Sequence, residues 1–216
     1  MTTVYLIRHA EALGNINETF QGRTDLGVTE NGFKQLEKLA ERFKDVELDA
    51  IYSSPLIRTI ETAKAVNRYH NLDIIKLDGI IEINGGVFEG QPWKQLPELF
   101  PEAFDLWTNR HHEFSVKDGE SMREVYDRMQ AAVTDIVRSN KGRTVAVVSH
   151  GCAIRNFLCY AETIPFEQLD NLEWCENTGV CMLEFEDIVP KIIYKNDYSH
   201  LDDATSTLSK QKWWRK

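Results

Sequence analysis

Residues 4–11 read VYLIRHAE and residues 145–152 read VAVVSHGC. Each opens with four apolar or aromatic residues and passes into a short polar stretch containing a histidine. A continuously apolar run of this length is the pattern of a strand buried on both faces, as in a parallel sheet, not the alternation of a half-exposed strand. The polar residues that follow then lie at the carboxyl end of the strand, where open α/β sheets bind ligands. If the two strands are parallel neighbours, His9 and His150 meet in one cleft.

The segments around them alternate in type. Residues 29–44 carry Phe33, Leu36, Leu39, Ala40 and Phe43 at helical spacing. DAIYS (49–53) is a second strand, the turn Ser54-Pro55 leads into a helix over about 56–69, and residues 74–77 form a short third strand. Residues 79–92 are turn-rich, with Gly79, Gly85, Gly86 and Gly90. Residues 93–108 are helical but interrupted by Pro97 and Pro101, which break the segment into short pieces. Ser121 and Glu124 form a capping box at the start of a helix that runs to about Arg138, with Val125, Met129, Val133 and Ile136 on one face. The strand at 144–148 is followed by a helix over about 153–161, and 178–186 with 191–195 read as a closing hairpin. This alternation predicts an α/β three-layer sandwich: a mainly parallel central sheet with helices on both faces. A chain of 216 residues suits a single domain over 1–216, with a lid-like helical insertion at about 93–120. The basic, aromatic end KQKWWRK reads as a loosely held tail.

Composition narrows the partners. With 42% hydrophobic and 27% charged residues the chain reads as globular, and no apolar run approaches a membrane span of about 20 residues. The N-terminus lacks the basic region and apolar length of a signal peptide, so a cytoplasmic location is expected. A net charge of −9 argues against nucleic acid or anionic membranes as partners. A small anionic substrate remains compatible, provided a few cations gather locally. Cys152, Cys159, Cys175 and Cys181 show no CxxC and no zinc spacing, and read as buried thiols in a reducing compartment. No metal or cofactor is implied. Nothing sets an oligomeric state, although the hairpin at 178–195 is a sheet edge open to pairing.

Those local cations gather at strand ends. Arg8 and His9 follow the first strand, Ser149 and His150 a later one, and Arg58 lies in the first turn of the helix after DAIYS, able to reach back over the strand end. A helix start also offers unsatisfied amides to an anion. Two guanidiniums and two imidazoles suit a tetrahedral phosphate, with the arginines binding oxygens bidentately. A neutral imidazole is a competent nucleophile at phosphorus. His9 would attack through one nitrogen while the other donates to a backbone carbonyl, and His150 would complete the cradle. Taken singly, each residue also has a bland reading: a satisfied structural histidine, or Arg58 paired on the surface with Glu61.

RHAEALGN (8–15), SSPLIRTIETA (53–63), EINGGVFEG (82–90), DGES (118–121) and VVSHG (147–151), in that order, resemble the landmarks of the histidine phosphatase superfamily, in its phosphoglycerate-mutase-like branch. The resemblance runs over about residues 4–158. It implies that His9 is the residue phosphorylated, and that Arg8, Arg58 and His150 hold the phosphate. It implies further that Asn15, Gln21 and Gly151 contact the substrate, and that Glu82 protonates the leaving oxygen and then activates water. Glu89 in the same loop competes with Glu82 for that role. Two departures stand out. Ala10 replaces the usual Gly after Arg-His, which is expected to shrink the site slightly, and Gly27-Val28-Thr29 replaces Pro-Leu-Thr.

A phosphohistidine can pass its phosphoryl group to water or to another hydroxyl. A mutase must keep the intermediate dry and hold its substrate for two transfers. The cofactor-dependent mutases of the family are longer, with added segments over the pocket, whereas the stretch 107–117 here is short. The expectation is therefore a phosphatase of small phosphomonoesters: sugar phosphates, phosphoglycerate, or nucleotide-loop phosphates such as α-ribazole phosphate. The alternatives are a phosphoglycerate mutase and a non-catalytic phosphate-binding module. Trp93, Phe104 and Trp107 read as core or lid packing, and Arg110, His111 and His112 either as a solvated loop or as a pocket cover that shapes substrate choice.

Overall fold

A computed structural model describes residues 1–209. The basic tail KQKWWRK lies outside the described residues. The element order is β1 (Thr2–Arg8), α1 (Leu13–Ile16), α2 (Glu30–Phe43), β2 (Ala50–Ser53), α3 (Ile57–Val66), β3 (Ile74–Lys76), α4 (Leu96–Leu99), α5 (Pro101–Asn109), α6 (Met122–Ser139), β4 (Thr144–Ser149), α7 (Gly151–Ala161), β5 (Val180–Glu186) and β6 (Val189–Asp197). The strands form one sheet in the order β3-β2-β4-β1-β5-β6. The pairs β1–β4, β2–β4 and β2–β3 are parallel, and β5 runs antiparallel to both β1 and β6.

The pleat sorts the apolar runs into two layers. Val4 and Leu6 of β1, with Val145 and Val147 of β4, face a core shared with α6 and α7. Ile7, Ala146 and Val148 point the other way, onto Leu39 and Phe43 of α2 and Ala63 and Val66 of α3. Successive strand residues thus serve opposite cores, which is why the sequence shows no alternation. On α6, Val125, Met129 and Val133 are fully buried, each contributing roughly 1.5–3 kcal/mol by leaving water. Its start is the expected capping box, with the Ser121 side chain accepting from the Glu124 amide and the Glu124 carboxylate accepting from the Ser121 amide.

Details depart from the sequence reading. Phe33 is 52% exposed, because Gly32 takes the buried place in the first turn of α2, packed against the backbone of Glu11. The helix expected to reach residue 69 is α-helical only to Val66 and ends in a 3-10 turn over Asn67–Tyr69. Pro97 and Pro101 do divide the 93–108 segment, each standing in the first turn of a short helix. Ala10 is fully buried with Leu36, Ala40 and Ala65, so its methyl fills the interlayer core and the expected shrinking of the site does not occur. Among the described residues no helix is long and apolar enough to cross a membrane.

Residues beyond the last strand are held by two buried carboxylates. Glu176 accepts from the Ser206 hydroxyl at 2.6 Å and from the amides of Thr207 and Leu208. Glu11 accepts from the Thr207 hydroxyl at 2.9 Å. This places Leu208 at the cleft that forms beyond the carboxyl ends of β1, β2 and β4.

Candidate active site

Arg8 pairs with Ser149 across the β1–β4 ladder, so His9 and His150 leave adjacent parallel strands at the same level. Their ring centroids lie 5.2 Å apart, tilted by 59°. The Nδ1 of His9 is 2.7 Å from the Ala10 carbonyl, which accepts its proton. This contact fixes the tautomer and leaves Nε2 as the nitrogen carrying the lone pair. Asn177 donates to the His9 carbonyl at 2.9 Å and Thr62 accepts from the Ala10 amide at 3.0 Å, so the backbone around the ring is tied on both sides. The Nε2 of His150 is 2.7 Å from Ser54 Oγ, and its buried Nδ1 has no partner among the described residues. Burial is the main reason both histidines stay well below the usual imidazole range, reinforced by the positive charge of Arg58 and of Arg8.

The two arginines are held by carbonyls, not by carboxylates. Arg8 donates through Nη1 to the Cys175 carbonyl at 2.5 Å. Arg58 is fully buried and donates to the carbonyls of Gly22 at 2.6 Å and Thr24 at 3.0 Å. Desolvation lowers Arg58 to about 10, which still leaves it charged at neutral pH. Among the described residues no carboxylate is bound to either, so their charge remains available to an anion. The helix starts are used differently from expectation. The Ile57 amide of α3 donates to Asp25 at 2.8 Å, so that end is closed by a protein carboxylate.

The first turn of α7 is taken by Glu82. Its Oε1 accepts from the amides of Ile83 (2.9 Å) and Ala153 (3.1 Å), and its Oε2 from that of Cys152 (3.1 Å). Burial nevertheless dominates and raises this carboxyl above the ordinary Glu value, against the pull of those amides and of Arg58. The loop bearing it is pinned from behind: Arg128 donates to the Ile81 carbonyl at 2.6 Å and binds Glu120, which in turn accepts from the Asn84 amide. Gly86 allows the close approach of that loop to Lys117 at φ +50°, a region a side chain disfavours. Glu89 is spent on structure. It accepts from the amides of Arg23, Thr24 and Gly85 and from the Thr24 hydroxyl. Glu82 lines the cleft beside His9, and Glu89 is not among the lining residues.

Arg8, His9, Asn15, Gln21, Glu82 and Gly151 all line one cleft of about 940 Å³. Asn15 Oδ1 accepts from the Ala12 amide at 2.9 Å. Gln21 lies against Gly14, where an added Cβ would sit 2.0 Å from its Oε1. Gly151 allows Arg8 and Trp174 to close on the start of α7, its own Cβ position being 3.3 Å from Arg8 Nε. His150 and Arg58 lie beneath this lining.

A profile of the histidine phosphatase superfamily (branch 1) matches residues 4–198. This chain belongs to that superfamily. Phosphoserine phosphatase 1 of Hydrogenobacter thermophilus is 32% identical over 203 residues, spanning 94% of this chain and 96% of that protein. Among solved structures, YhfR of Bacillus stearothermophilus superposes with a TM-score of 0.89 at 30% identity, covering 93% of this chain and 99% of that one. A phosphoserine phosphatase variant from Entamoeba histolytica, solved in complex with phosphoserine, gives 0.83 at 26% identity, covering 93% and 100%.

The outer wall of the cleft in this histidine phosphatase is largely aromatic. Trp93, Phe104 and Trp107 line it as well as packing on the main core. Of the three basic residues singled out between the helices, only His111 reaches the cleft, held by Asp170 at 2.7 Å. Arg110 pairs with Asp105 and Glu113 outside it. His112 sits beside Glu113 and against Phe166. Sequence reasoning passed over Ser54, Asn177, Arg155 and Trp174. Arg155 had a readable signal: a lone charge in the otherwise apolar helix run GCAIRNFLCYA.

Proposed function

We propose that this chain hydrolyses small phosphomonoesters through a phosphohistidine formed on His9. The observation that carries this reading is the hydrogen bond from His9 Nδ1 to the Ala10 carbonyl at 2.7 Å, which frees Nε2 beside Arg8, His150 and Glu82. In the first step Nε2 attacks phosphorus, the P–O ester bond breaks, and Glu82 gives its proton to the departing oxygen. In the second, Glu82 takes a proton from water, the hydroxide oxygen attacks phosphorus, and the P–N bond breaks to restore neutral His9. Arg8, Arg58 and the Nδ1 proton of His150 balance charge on the phosphoryl oxygens throughout. Asn15 and Gln21 border the phosphate, and the segment around 93–120 covers it.

The guanidiniums and imidazoles supply the charge neutralisation that a metal provides elsewhere, so activity should persist in EDTA. Four free, buried thiols fit a reducing, cytoplasmic setting. The similarity to phosphoserine phosphatases supports a phosphorylated metabolite of that size as substrate. A screen of phosphomonoesters that includes phosphoserine, 3-phosphoglycerate, sugar phosphates and α-ribazole phosphate tests the reading. Phosphate release from at least one, absent in His9→Ala, is expected. Efficient conversion of 3- to 2-phosphoglycerate with 2,3-bisphosphoglycerate present would make the enzyme a mutase instead.

A further inference from the structure

Arg155 stands on α7 one turn beyond Gly151 and is only 5% exposed. Its Nε donates to the Leu172 carbonyl at 2.8 Å, and its guanidinium carbon lies 4.8 Å from the centre of the Trp174 ring. These contacts fix the plane of the group without neutralising it. Asp170 is the carboxylate whose charge it feels, yet both Asp170 oxygens are engaged by His111, one by the ring at 2.7 Å and one by the amide at 3.2 Å. Glu173, on the same wall, is exposed. Among the described residues no carboxylate forms an ion pair with Arg155, and its two terminal nitrogens make no hydrogen bond.

Burying a guanidinium without an anionic partner is costly unless a ligand supplies the anion. The cleft supplies a route for one. Arg155 lines the same cavity as His9 and Glu82, as do Gly151 and Cys152 at the start of its helix. One helical turn, ~6 Å along the axis, separates the Gly151 end, where phosphate binds in the proposed reaction, from Arg155. With Nε spent on Leu172, Nη1 and Nη2 form a fork matched to two oxygens of one planar group.

We propose that Arg155 receives a carboxylate on the leaving group, so that the preferred substrates are phosphate esters of small hydroxy acids or hydroxy amino acids. The inference rests on reading the cleft as a phosphomonoesterase site. Its test compares kcat/KM within matched pairs that differ at the carboxylate: phosphoserine against phosphoethanolamine, and 3-phosphoglycerate against glycerol 3-phosphate. The wild type should favour the acid of each pair by roughly 10- to 100-fold. Arg155→Gln should bring the ratio close to one, and Arg155→Lys should keep part of it. Equal rates within both pairs in the wild type overturn the proposal, as does an undiminished ratio in Arg155→Gln. The wild-type ratios decide the matter even if a variant folds poorly. Hydrolysis confined to the members lacking a carboxylate overturns the inference but leaves the phosphatase reading standing, whereas hydrolysis of no phosphomonoester removes both.

Discussion

Glu82 closes the first turn of α7 by accepting the Cys152 amide at 3.1 Å. A carboxylate at that place occupies the amides that a bound anion would otherwise use, and burial holds its proton more tightly than in an ordinary Glu. In the proposed reaction it serves as the proton donor to the leaving oxygen, and the phosphate is left to side-chain cations.

Glu82→Gln keeps the shape and removes the proton. For alkyl phosphates, whose leaving oxygen needs protonation, kcat should fall by about 10²–10⁴-fold. For p-nitrophenyl phosphate, whose leaving group departs as a stable anion, the first step should be nearly unaffected and a burst of p-nitrophenol should appear before slow turnover. Steady-state and stopped-flow rates on the two ester types check this, and an equal loss in the first step for both would contradict the acid role.

The pH profile follows from the same two groups. In the proposed reaction the reactive forms are neutral His9 and protonated Glu82. His9 is held well below 6.5 by burial and by Arg58 and Arg8, so falling pH should not protonate it where a free imidazole protonates. Glu82 is raised, so its proton is lost as pH climbs through that raised value. In kcat/KM for an alkyl phosphate, activity should persist below pH 6.5 and decline on the alkaline side. Glu82→Gln should flatten the alkaline limb, and an acid limb centred near 6.5 that vanishes on changing a residue near His9 would contradict the assignment.

Much of this arrangement was legible in the chain because the information was local. VYLIRHAE and VAVVSHGC displayed burial on both faces, and their pairing brings His9 beside His150 as those patterns require. Ser121 and Glu124 are three residues apart and cap one another. What escaped depended on contacts between distant segments. The surroundings of Glu82 and Glu89 are of this kind: α7 supplies two of the amides on Glu82, and residues 23, 24 and 85 those on Glu89. Phe33 fits the helical period yet faces solvent, because Gly32 rather than Phe33 meets the Glu11 backbone. His111 enters the cleft and Arg110 does not, a difference set by Asp170 on a remote turn.

Two polar anchors should separate stability from chemistry. Ser121→Ala deletes one half of the capping box on α6 and should cost about 1 kcal/mol, lowering Tm by roughly 2–4 °C. Because Ser121 lies outside the cleft, kcat/KM should stay at the wild-type level. Glu176→Gln, which weakens the hold on Ser206, Thr207 and Leu208, should cost roughly 1.5–3 kcal/mol. Thermal melts with parallel assays check both, and a Ser121→Ala variant that is stable but inactive would contradict the division.

The most direct test of the account is rapid acid-free quenching of the enzyme during turnover of a ³²P-labelled phosphomonoester, followed by peptide mapping. Label should sit on His9, withstand base and be released by acid, be absent in His9→Gln, and accumulate in Glu82→Gln. Undiminished turnover by His9→Gln, or label on any other residue, would contradict the central claim.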